Sequence, residues 1–224
     1  MTKSFVAFLL FIFVVQIATA QADLHVPKRS QFGISLGAIY LKPEIKVSDW
    51  EALGIVDQIS SVTPQSAPGF ELGIMYRHQL NNNFAFRMLG VLAFLESSID
   101  YELPNNEKLT QTREMVTIEL PVHMVFENTS RRFPLSAIAG FRYSVDVAQE
   151  DDTSLVTTNY RKNDLLYDLG AGIAFNFERF KMKPELIVSG GLLNQSDPES
   201  VLLTDRVVDE LRNNRFTLRV SFYN

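Results

Sequence analysis

The sequence predicts an all-β fold, an eight-stranded antiparallel transmembrane β-barrel with short periplasmic turns and long extracellular loops. Three observations lead to this prediction. The chain opens with a predicted export signal, the remainder contains about eight segments of alternating apolar and polar residues, and the links between segments alternate in length. Period-two alternation indicates half-buried strands. Alternating link lengths are typical of barrels that cross an outer membrane.

Residues 1–22 are predicted to be a signal peptide, and residues 23–224 the barrel domain. Lys3 provides a positive charge, residues 5–17 form an apolar run, and Ala18-Thr19-Ala20 offers a small-x-small cleavage pattern. The apolar run is shorter than the roughly 20 residues that a membrane-spanning helix needs. We therefore favour a cleaved, exported chain over the alternative of an uncleaved anchor.

The composition further limits the class of protein and the chemistry that the chain can carry out. The chain has no cysteine, so it offers neither a disulfide nor a thiol for catalysis. Its 26 acidic residues outnumber its 21 basic residues, and no clustered basic face indicates nucleic-acid binding. No later stretch has the length of a transmembrane helix, so a membrane crossing would have to use strands.

Alternation predicts the first three strands, and the apolar–polar pattern is less regular in the third than in the first two. In the first, every even position from Phe32 to Tyr40 is apolar; in the second, the same holds from Phe70 to Tyr76. The third contains an almost continuous apolar run over residues 89–95, for which a β-bulge that switches faces is one explanation. The eight predicted strands lie near residues 31–41, 69–79, 84–102, 116–126, 134–147, 163–177, 180–193 and 215–224.

The other five strands follow the same rule. Even positions are apolar from 116 to 126, and odd positions are apolar over 135–147 and 165–177. In the strand near 180–193, the apolar residues Met182 and Leu186 alternate with polar residues. The last strand has apolar residues at even positions over 216–222. It reaches almost to the end of the chain, and we expect it to close the barrel by pairing with the first strand.

The connections predict the orientation of the barrel. Short links at about 81–83, 128–133 and 178–179 alternate with longer links at about 43–68, 104–110, 149–160 and 194–213. Short periplasmic turns and longer extracellular loops are the rule in outer-membrane barrels, so both termini are expected on the periplasmic side.

The polar faces of the strands predict a charged interior. An eight-stranded barrel is only just wide enough for its interior side chains, and charges removed from bulk water need partners. We therefore expect paired charges and trapped water instead of an open channel, with Gly33, Gly37, Gly170 and Gly172 leaving room for long side chains. The predicted interior charges are Glu71, Glu119, Asp146, Asp168, Glu185, Arg77, Arg87, Arg142, Lys183 and Arg219.

No catalytic, cofactor-binding or metal-ligating residue is predicted, and we do not expect an enzyme. His25, His78 and His123 lack metal-ligand spacing and no cysteine supports them. The acidic run at residues 150–152 lacks the spacing and glycine of a calcium-binding loop. The expected partners are outer-membrane lipid and other protein components, with no nucleic acid and no small-molecule substrate.

Some other features of the chain suggest local structure. Trp50 lies in the first long link, and three roles are open to it: a place at the lipid interface, an anchor for a partner contact, or packing within its own loop. Residues 200–211 have apolar positions spaced for a short amphipathic helix. Aromatic residues at strand ends are candidates for the interfacial girdles: Tyr40, Phe84, Phe126, Tyr143, Tyr167, Phe177 and Tyr223.

Four segments, taken in order, resemble the PorT family of outer-membrane β-barrels from Bacteroidota. They are the I-E-L-P strand at residues 116–121, the segment 139–146, the glycine-rich segment 167–173, and F-K-M-K-P-E-L-I-V-S-G-G-L-L-N at residues 180–194. The resemblance implies a non-enzymatic barrel that serves type IX protein secretion and gliding motility. One departure is Asn224, which follows Phe222-Tyr223 where such strands usually end on an aromatic residue.

Two alternatives to a secretion component stay open at this point. One is a surface barrel of the same family whose loops act in adhesion or in contact with a host or partner. The other is a secreted lipocalin-like binder, for which an apolar interior would be expected.

Overall fold

The computed structural model describes residues 29–47, 61–102, 108–128, 134–148, 161–195 and 208–224. The predicted signal peptide, His25, Trp50 and the acidic run at 150–152 lie outside these residues. Across the described ranges there is no helix with the length and apolar character needed to cross a membrane.

Ten strands account for nearly all of the described chain, and eight of them form the wall of a barrel. The short strand β2 continues β3 beyond Ser66, since both pair with β4. The short strand β8 likewise continues β7, since both pair with β9. The strands are β1 (Ser30–Val47), β2 (Ser61–Gln65), β3 (Ala67–Gln79), β4 (Phe84–Glu102), β5 (Lys108–Asn128), β6 (Leu135–Asp146), β7 (Asn163–Ile173), β8 (Phe175–Asn176), β9 (Lys181–Gly191) and β10 (Val208–Tyr223).

The barrel is closed by its last strand, which confirms the predicted fold class. Neighbouring strands are antiparallel and follow the order of the chain around the wall. β10 pairs with two strands. Its pairing with β1 extends from Gly33 opposite Tyr223 to Val47 opposite Val208. Its pairing with β9 extends from Lys181 opposite Tyr223 to Ser189 opposite Arg215. Closure pairs the backbone groups that would otherwise form two free edges, which a membrane-embedded sheet cannot leave unpaired.

The strands are longer than alternation predicts at the end of the barrel away from the termini. β1 continues to Val47 and β2 begins at Ser61, so the predicted link 43–68 is limited to residues 48–60. β4 and β5 leave only residues 103–107 between them, so this link is no longer than its short neighbour at 129–134. The predicted helix at 200–211 is wrong for residues 208–211, which belong to β10. Alternation fails here because both faces of these extensions carry polar residues.

The outward face of the barrel is an apolar band. On β4 it runs from Phe84 to Phe94, about the 9–11 residues that a tilted strand needs to cross a membrane. Phe32 is 63% exposed and Leu218 is 56% exposed, values that suit contact with lipid. Six of the predicted girdle residues are exposed on this surface: Tyr40, Phe84, Phe126, Tyr143, Tyr167 and Phe177.

Tyr223 is the exception to the predicted girdle. Its ring points into the lumen, where it is 4% exposed and lies under the Arg77 guanidinium, 5.7 Å from the ring centroid. The cause is the period of the strand: Tyr223 shares the odd-numbered face of β10 with Arg219 and Ser221.

The proposed bulge in β4 is not present. Met88 pairs with Val122 and Val91 with Glu119, so the register is the same on both sides of the apolar run. Odd-numbered residues of the run point inwards and even-numbered residues outwards. The run is continuously apolar because this part of the lumen is itself lined by an apolar cluster: Ile39, Leu41, Met75, Leu89, Val91, Ala93, Leu95, Met115 and Tyr223.

Two of the interruptions in the strand pairing lie opposite proline. Leu89 and Gly90 have no paired residues on β5, at the level of Pro121. The pairing of β7 with β9 stops at Gly172 and resumes in β8 at Phe175, on either side of the level of Pro184. Proline has no N–H to donate to a neighbouring strand. The division between β7 and β8 therefore follows from the sequence of β9.

Replacing Pro121 by valine should stabilise the barrel. The substitution restores an N–H opposite β4, and a regained intramolecular hydrogen bond is worth about 1 kcal/mol. The midpoint of urea unfolding, followed by the heat-dependent shift in gel mobility, measures the effect. Pro43→Val is the control, because pairing with β10 continues without interruption through Pro43. Equal shifts in the two variants would contradict the explanation.

Candidate functional site: a closed, ionic lumen

A single guanidinium group joins three carboxylates at the centre of the lumen. Arg142 on β6 donates from Nη1 to Glu119 Oε2 at 2.7 Å and to Glu71 Oε2 at 3.3 Å. Its Nε and Nη2 donate to Asp168 Oδ2 at 3.1 and 3.0 Å. Because these acids come from β5, β3 and β7, one side chain ties together four strands of the wall.

The same carboxylates are shared with two arginines of β10. Arg215 Nη1 donates to Glu119 Oε1 at 2.5 Å, and Arg219 Nε donates to Glu71 Oε1 at 2.5 Å. Arg219 is fully buried. The prediction that Arg219 faces an acidic interior partner is therefore confirmed, and that partner is Glu71.

A second set of ion pairs extends towards the periplasmic end. Arg87 Nη1 donates to both carboxylate oxygens of Glu185, at 2.6 and 2.8 Å. Lys183 Nζ lies 3.5 Å from Glu185 and donates to Glu127 Oε1 at 2.8 Å. Arg77 completes the set: it donates to Glu127 Oε2 at 2.7 Å.

His123 connects the two sets of ion pairs. Arg87 Nη2 lies 3.0 Å from His123 Nδ1, and His123 Nε2 lies 2.8 Å from Asp168 Oδ2. A guanidinium can only donate, so Nδ1 accepts this bond and the ring proton sits on Nε2, facing the carboxylate. His123 is thus a buried histidine of the lumen.

The result is a continuous network of charges along the inside of the barrel. In the described part of the chain the buried charges are balanced, with six cationic and six acidic side chains. Arg142, Asp168 and Arg219 have no exposed surface, so this level of the lumen is closed to bulk solvent. The buried charged residues are Arg77, Arg87, Arg142, Lys183, Arg215, Arg219, Glu71, Glu119, Glu127, Asp164, Asp168 and Glu185.

Glycine makes room for this network, as predicted, at two positions. A Cβ on Gly37 would lie 2.8 Å from Glu71 Cγ, and a Cβ on Gly172 would lie 2.9 Å from Glu185 Cγ. Both acids occupy space that any other residue would fill. Gly33 and Gly170 face Tyr223 and Ile187 instead, so their neighbours are not charged.

Most of the predicted interior charges are placed correctly. Asp146 differs, since it is only half-buried at the end of β6, where its carboxylate accepts a bond from the Ala148 N–H. Glu127, Asp164 and Arg215 are interior charges that the sequence prediction did not include. Extending the alternation of β5 past Phe126 would have found Glu127, and extending that of β10 before Phe216 would have found Arg215.

Histidine 78 is separate from the lumen and from His123. It lies near the periplasmic rim, where its Nδ1 is hydrogen bonded to the Ser30 hydroxyl at 2.9 Å. No group of three or more His, Cys, Asp or Glu side chains in the described ranges is arranged to hold a metal ion.

β4 and β5 project beyond the apolar band, and we call residues 95–102 and 108–115 the projecting wall. Eight residues of strand add about 27 Å of length. Glu96 and Glu114 pair directly across its outer face, both exposed and without a cationic partner among the described residues. Above them, Asp100 accepts bonds from Thr110 at 2.7 Å and Gln65 at 3.0 Å.

A shorter two-stranded ribbon projects on the neighbouring side, formed by residues 42–47 of β1 and 208–214 of β10. Glu210 is paired with two cations, Arg212 and Lys46, whose Nζ lies 2.5 Å away, and the amide of Asn214 donates to Glu44 at 3.0 Å. The sequence of the projecting wall contains four acidic and two basic residues, whereas the ribbon contains three of each, so the wall is the more acidic of the two.

Comparison with solved structures supports the fold. The outer membrane protein OprG from Pseudomonas aeruginosa is 10% identical, with a TM-score of 0.51 over 90% of this chain and 99% of that chain. The attachment invasion locus protein Ail of Yersinia pestis is 13% identical, with a TM-score of 0.39 over 88% and 99% of the two chains. No protein-family model and no curated protein matches the sequence. At these identities the OprG likeness shows the fold alone, that of an outer-membrane β-barrel.

Removing the central guanidinium should strongly destabilise the barrel. Arg142→Met leaves Glu71, Glu119 and Asp168 without a shared partner, and breaking a buried ion pair costs about 3–5 kcal/mol. Urea unfolding of the detergent-solubilised protein, followed by circular dichroism, measures the loss. The control is Arg212→Met on the ribbon, whose partially exposed pair with Glu210 is worth less than about 1 kcal/mol. Equal losses of unfolding free energy in the two variants would contradict a central role for the network.

Proposed function

We propose that this protein is a non-enzymatic outer-membrane scaffold of the type IX protein secretion system, required for the export of cargo proteins. The barrel anchors in lipid, and its projecting parts contact other secretion components. The observation that carries the proposal is a lumen closed by buried ion pairs, together with a polar wall that extends beyond the apolar band.

The closed lumen supports a role outside the barrel. A channel needs a path for its solute, and eight-stranded barrels are filled by their own side chains. Here the centre of the lumen is occupied by Arg142 and its three carboxylate partners, none of them more than slightly exposed. Passing a solute would require several buried ion pairs to separate at once, which is costly.

The projecting wall supports a role in contacting other proteins. The apolar band already provides enough strand to cross the membrane, so residues 95–102 and 108–115 add a surface that lies in water. Glu96 and Glu114 lie directly opposite each other there, although like charges across a strand pair are unfavourable. A partner with a basic surface would relieve that repulsion.

The assignment to type IX secretion, and with it the possible role in gliding motility, is supported by the resemblance to the PorT family. All four segments that carry the resemblance also contribute charges to the lumen. In chain order, these charges are Glu119, Arg142, Asp168, and Lys183 with Glu185. The segments that carry the resemblance therefore include the charged side chains that fill the lumen.

A surface barrel in adhesion, or in contact with a host or partner, is the second candidate function. The same exposed wall favours it, because adhesion also uses surfaces outside the membrane. A secreted lipocalin-like binder is less suitable, since the apolar side chains face outwards and the lumen is ionic. Both surviving candidates place the protein in the outer membrane.

Deleting the gene should abolish export of type IX cargo, measured as cargo proteins in the culture medium and on the cell surface. Complementation with the intact gene should restore export. Normal export in the deletion strain, accompanied by reduced adherence, would eliminate the secretion role and favour the adhesion barrel.

The double variant Glu96→Lys, Glu114→Lys should fold normally but lose most cargo export, because it reverses the charge of the projecting wall. Folding is checked by the heat-dependent gel shift, and export by the cargo assay. The control is Glu178→Lys in the exposed turn between β8 and β9, at the opposite end of the barrel. If the control loses export and the double variant keeps it, the contact lies on the periplasmic side.

A further inference from the structure

The projecting wall has one strand edge that no described residue covers. β5 pairs with β6 only as far as Thr117 opposite Asp146, followed by one bond from the Val147 N–H to the Val116 carbonyl at 2.8 Å. Beyond this point, residues 108–115 pair with β4 on one side and with no described residue on the other. We call this second side of residues 108–115 the open edge, and it is about 27 Å long.

The backbone groups on the open edge belong to even-numbered residues. The N–H and C=O of a strand residue point to the same side of the strand, and the side alternates from one residue to the next. Because the Val116 carbonyl points towards β6, the N–H and C=O groups of Thr110, Thr112 and Glu114 point that way too. The open edge therefore presents alternating donors and acceptors, the pattern to which another strand pairs.

The other projecting edges within the described residues are blocked. Proline blocks strand edges in many natural proteins because it has no N–H to donate. Pro43 on β1 and Pro64 on β2 both lie where, by the same alternation, the backbone nitrogen faces away from the paired strand. On the edge of β10, the Leu211 carbonyl accepts a bond from the Gln195 N–H at 2.9 Å, and the Leu211 N–H donates to Asn194 Oδ1 at 3.0 Å.

The open edge lacks a proline and is already held in strand geometry. The Thr110 hydroxyl donates to Asp100 at 2.7 Å, and the Thr112 hydroxyl lies 3.1 Å from that of Ser98, so both side chains are bonded back to β4. Threonine also favours extended backbone. A strand that binds here meets a preformed edge, which lowers the entropic cost of binding.

The charge of the wall indicates what kind of strand fits. A strand added to the open edge would place one side chain directly opposite Glu114, about 5 Å away. Glu114 already lies opposite Glu96 on its other side, so a third acid would be unfavourable and a lysine or arginine favourable. A second copy of this barrel would bring another acidic wall instead of a compensating charge.

We propose that the open edge of β5 binds an extended segment of a partner protein as an additional strand, with a basic side chain opposite Glu114. Backbone hydrogen bonds supply affinity in this mode of recognition, and alternate side chains supply specificity. The inference rests on the proposed function, in which the wall contacts another secretion component, and it specifies how that contact is made.

Amide hydrogen exchange of the detergent-solubilised protein, resolved by NMR, tests the edge directly. In the free protein, the amides of Thr110, Thr112 and Glu114 should exchange faster than those of Gln111 and Arg113, which point to β4. The probe is a short synthetic peptide of alternating lysine and valine. It should slow the three edge amides about tenfold at roughly ten times its dissociation constant. A peptide of alternating glutamate and valine should not slow them.

Three results of this experiment would overturn the proposal. The first is slow exchange of the edge amides in the free protein, because the edge would then be covered already. The cover would be the chain itself if the protection is independent of protein concentration, and a second copy if the protection rises with concentration. The second result is no slowing by the lysine peptide, and the third is equal slowing by both peptides.

Thr112→Pro tests the edge in cells, because it removes an N–H from the open edge and leaves the pairing with β4 in place. It should abolish the effect of the lysine peptide and reduce cargo export more than Thr112→Val, which loses the same hydroxyl but keeps the N–H. Val62→Pro is the matched control, since it changes the opposite edge of the same sheet, beside Pro64, and should leave export unchanged. The heat-dependent gel shift reports folding of the barrel, and slow exchange at Gln111 and Arg113 reports folding of the wall.

A second edge variant and the deletion strain separate this inference from the proposed function. Thr110→Pro makes the same change at the next edge position and replaces Thr112→Pro if that variant loses slow exchange at Gln111. Normal export in both proline variants, together with lost export in the deletion strain, would overturn strand addition and leave the secretion role in place. Normal export in the deletion strain would remove the secretion role, and the peptide experiment would still decide whether the edge binds a strand.

Discussion

The ion pairs of Arg142 are the interaction on which the rest of the barrel depends. Eight strands enclose a lumen so narrow that each inward charge must find its partner on another inward side chain. Arg142 meets acids from three other strands, and those acids also receive Arg215 and Arg219. The positions of these strands relative to one another are thereby defined at the centre of the membrane.

The value of such a network lies in specifying register more than in adding stability. Lipid is as apolar as the outward side chains, so the outer surface distinguishes poorly between neighbouring registers. A slip of one residue would turn Arg219 and Arg215 towards lipid and place Leu218 in the lumen. Buried ion pairs add little net free energy over apolar packing, but a misplaced charge is severely penalised. The ionic lumen therefore works against incorrect strand pairing.

Alternation alone predicted the eight strands, the closing pair of β1 and β10, and most of the interior charges. It could not predict which interior charge contacts which, because the contacts inside the lumen join charged residues up to 148 positions apart in the sequence. It also misjudged the run at residues 89–95, since one side of the lumen is apolar and both faces of the strand then look alike. The extension of β5 was missed for the complementary reason: beyond the apolar band both of its faces carry polar residues.

The lengths of the strands separate what the membrane requires from what it does not. β6, β7 and β9 have 12, 11 and 11 residues, which is enough to cross the apolar band. β4 and β5 have 19 and 21 residues in the same barrel. Spanning the bilayer cannot account for this surplus, and the closed lumen leaves no conduit that a taller wall would extend. The surplus is explained if the working surface of the protein is the wall itself, with the barrel as its anchor.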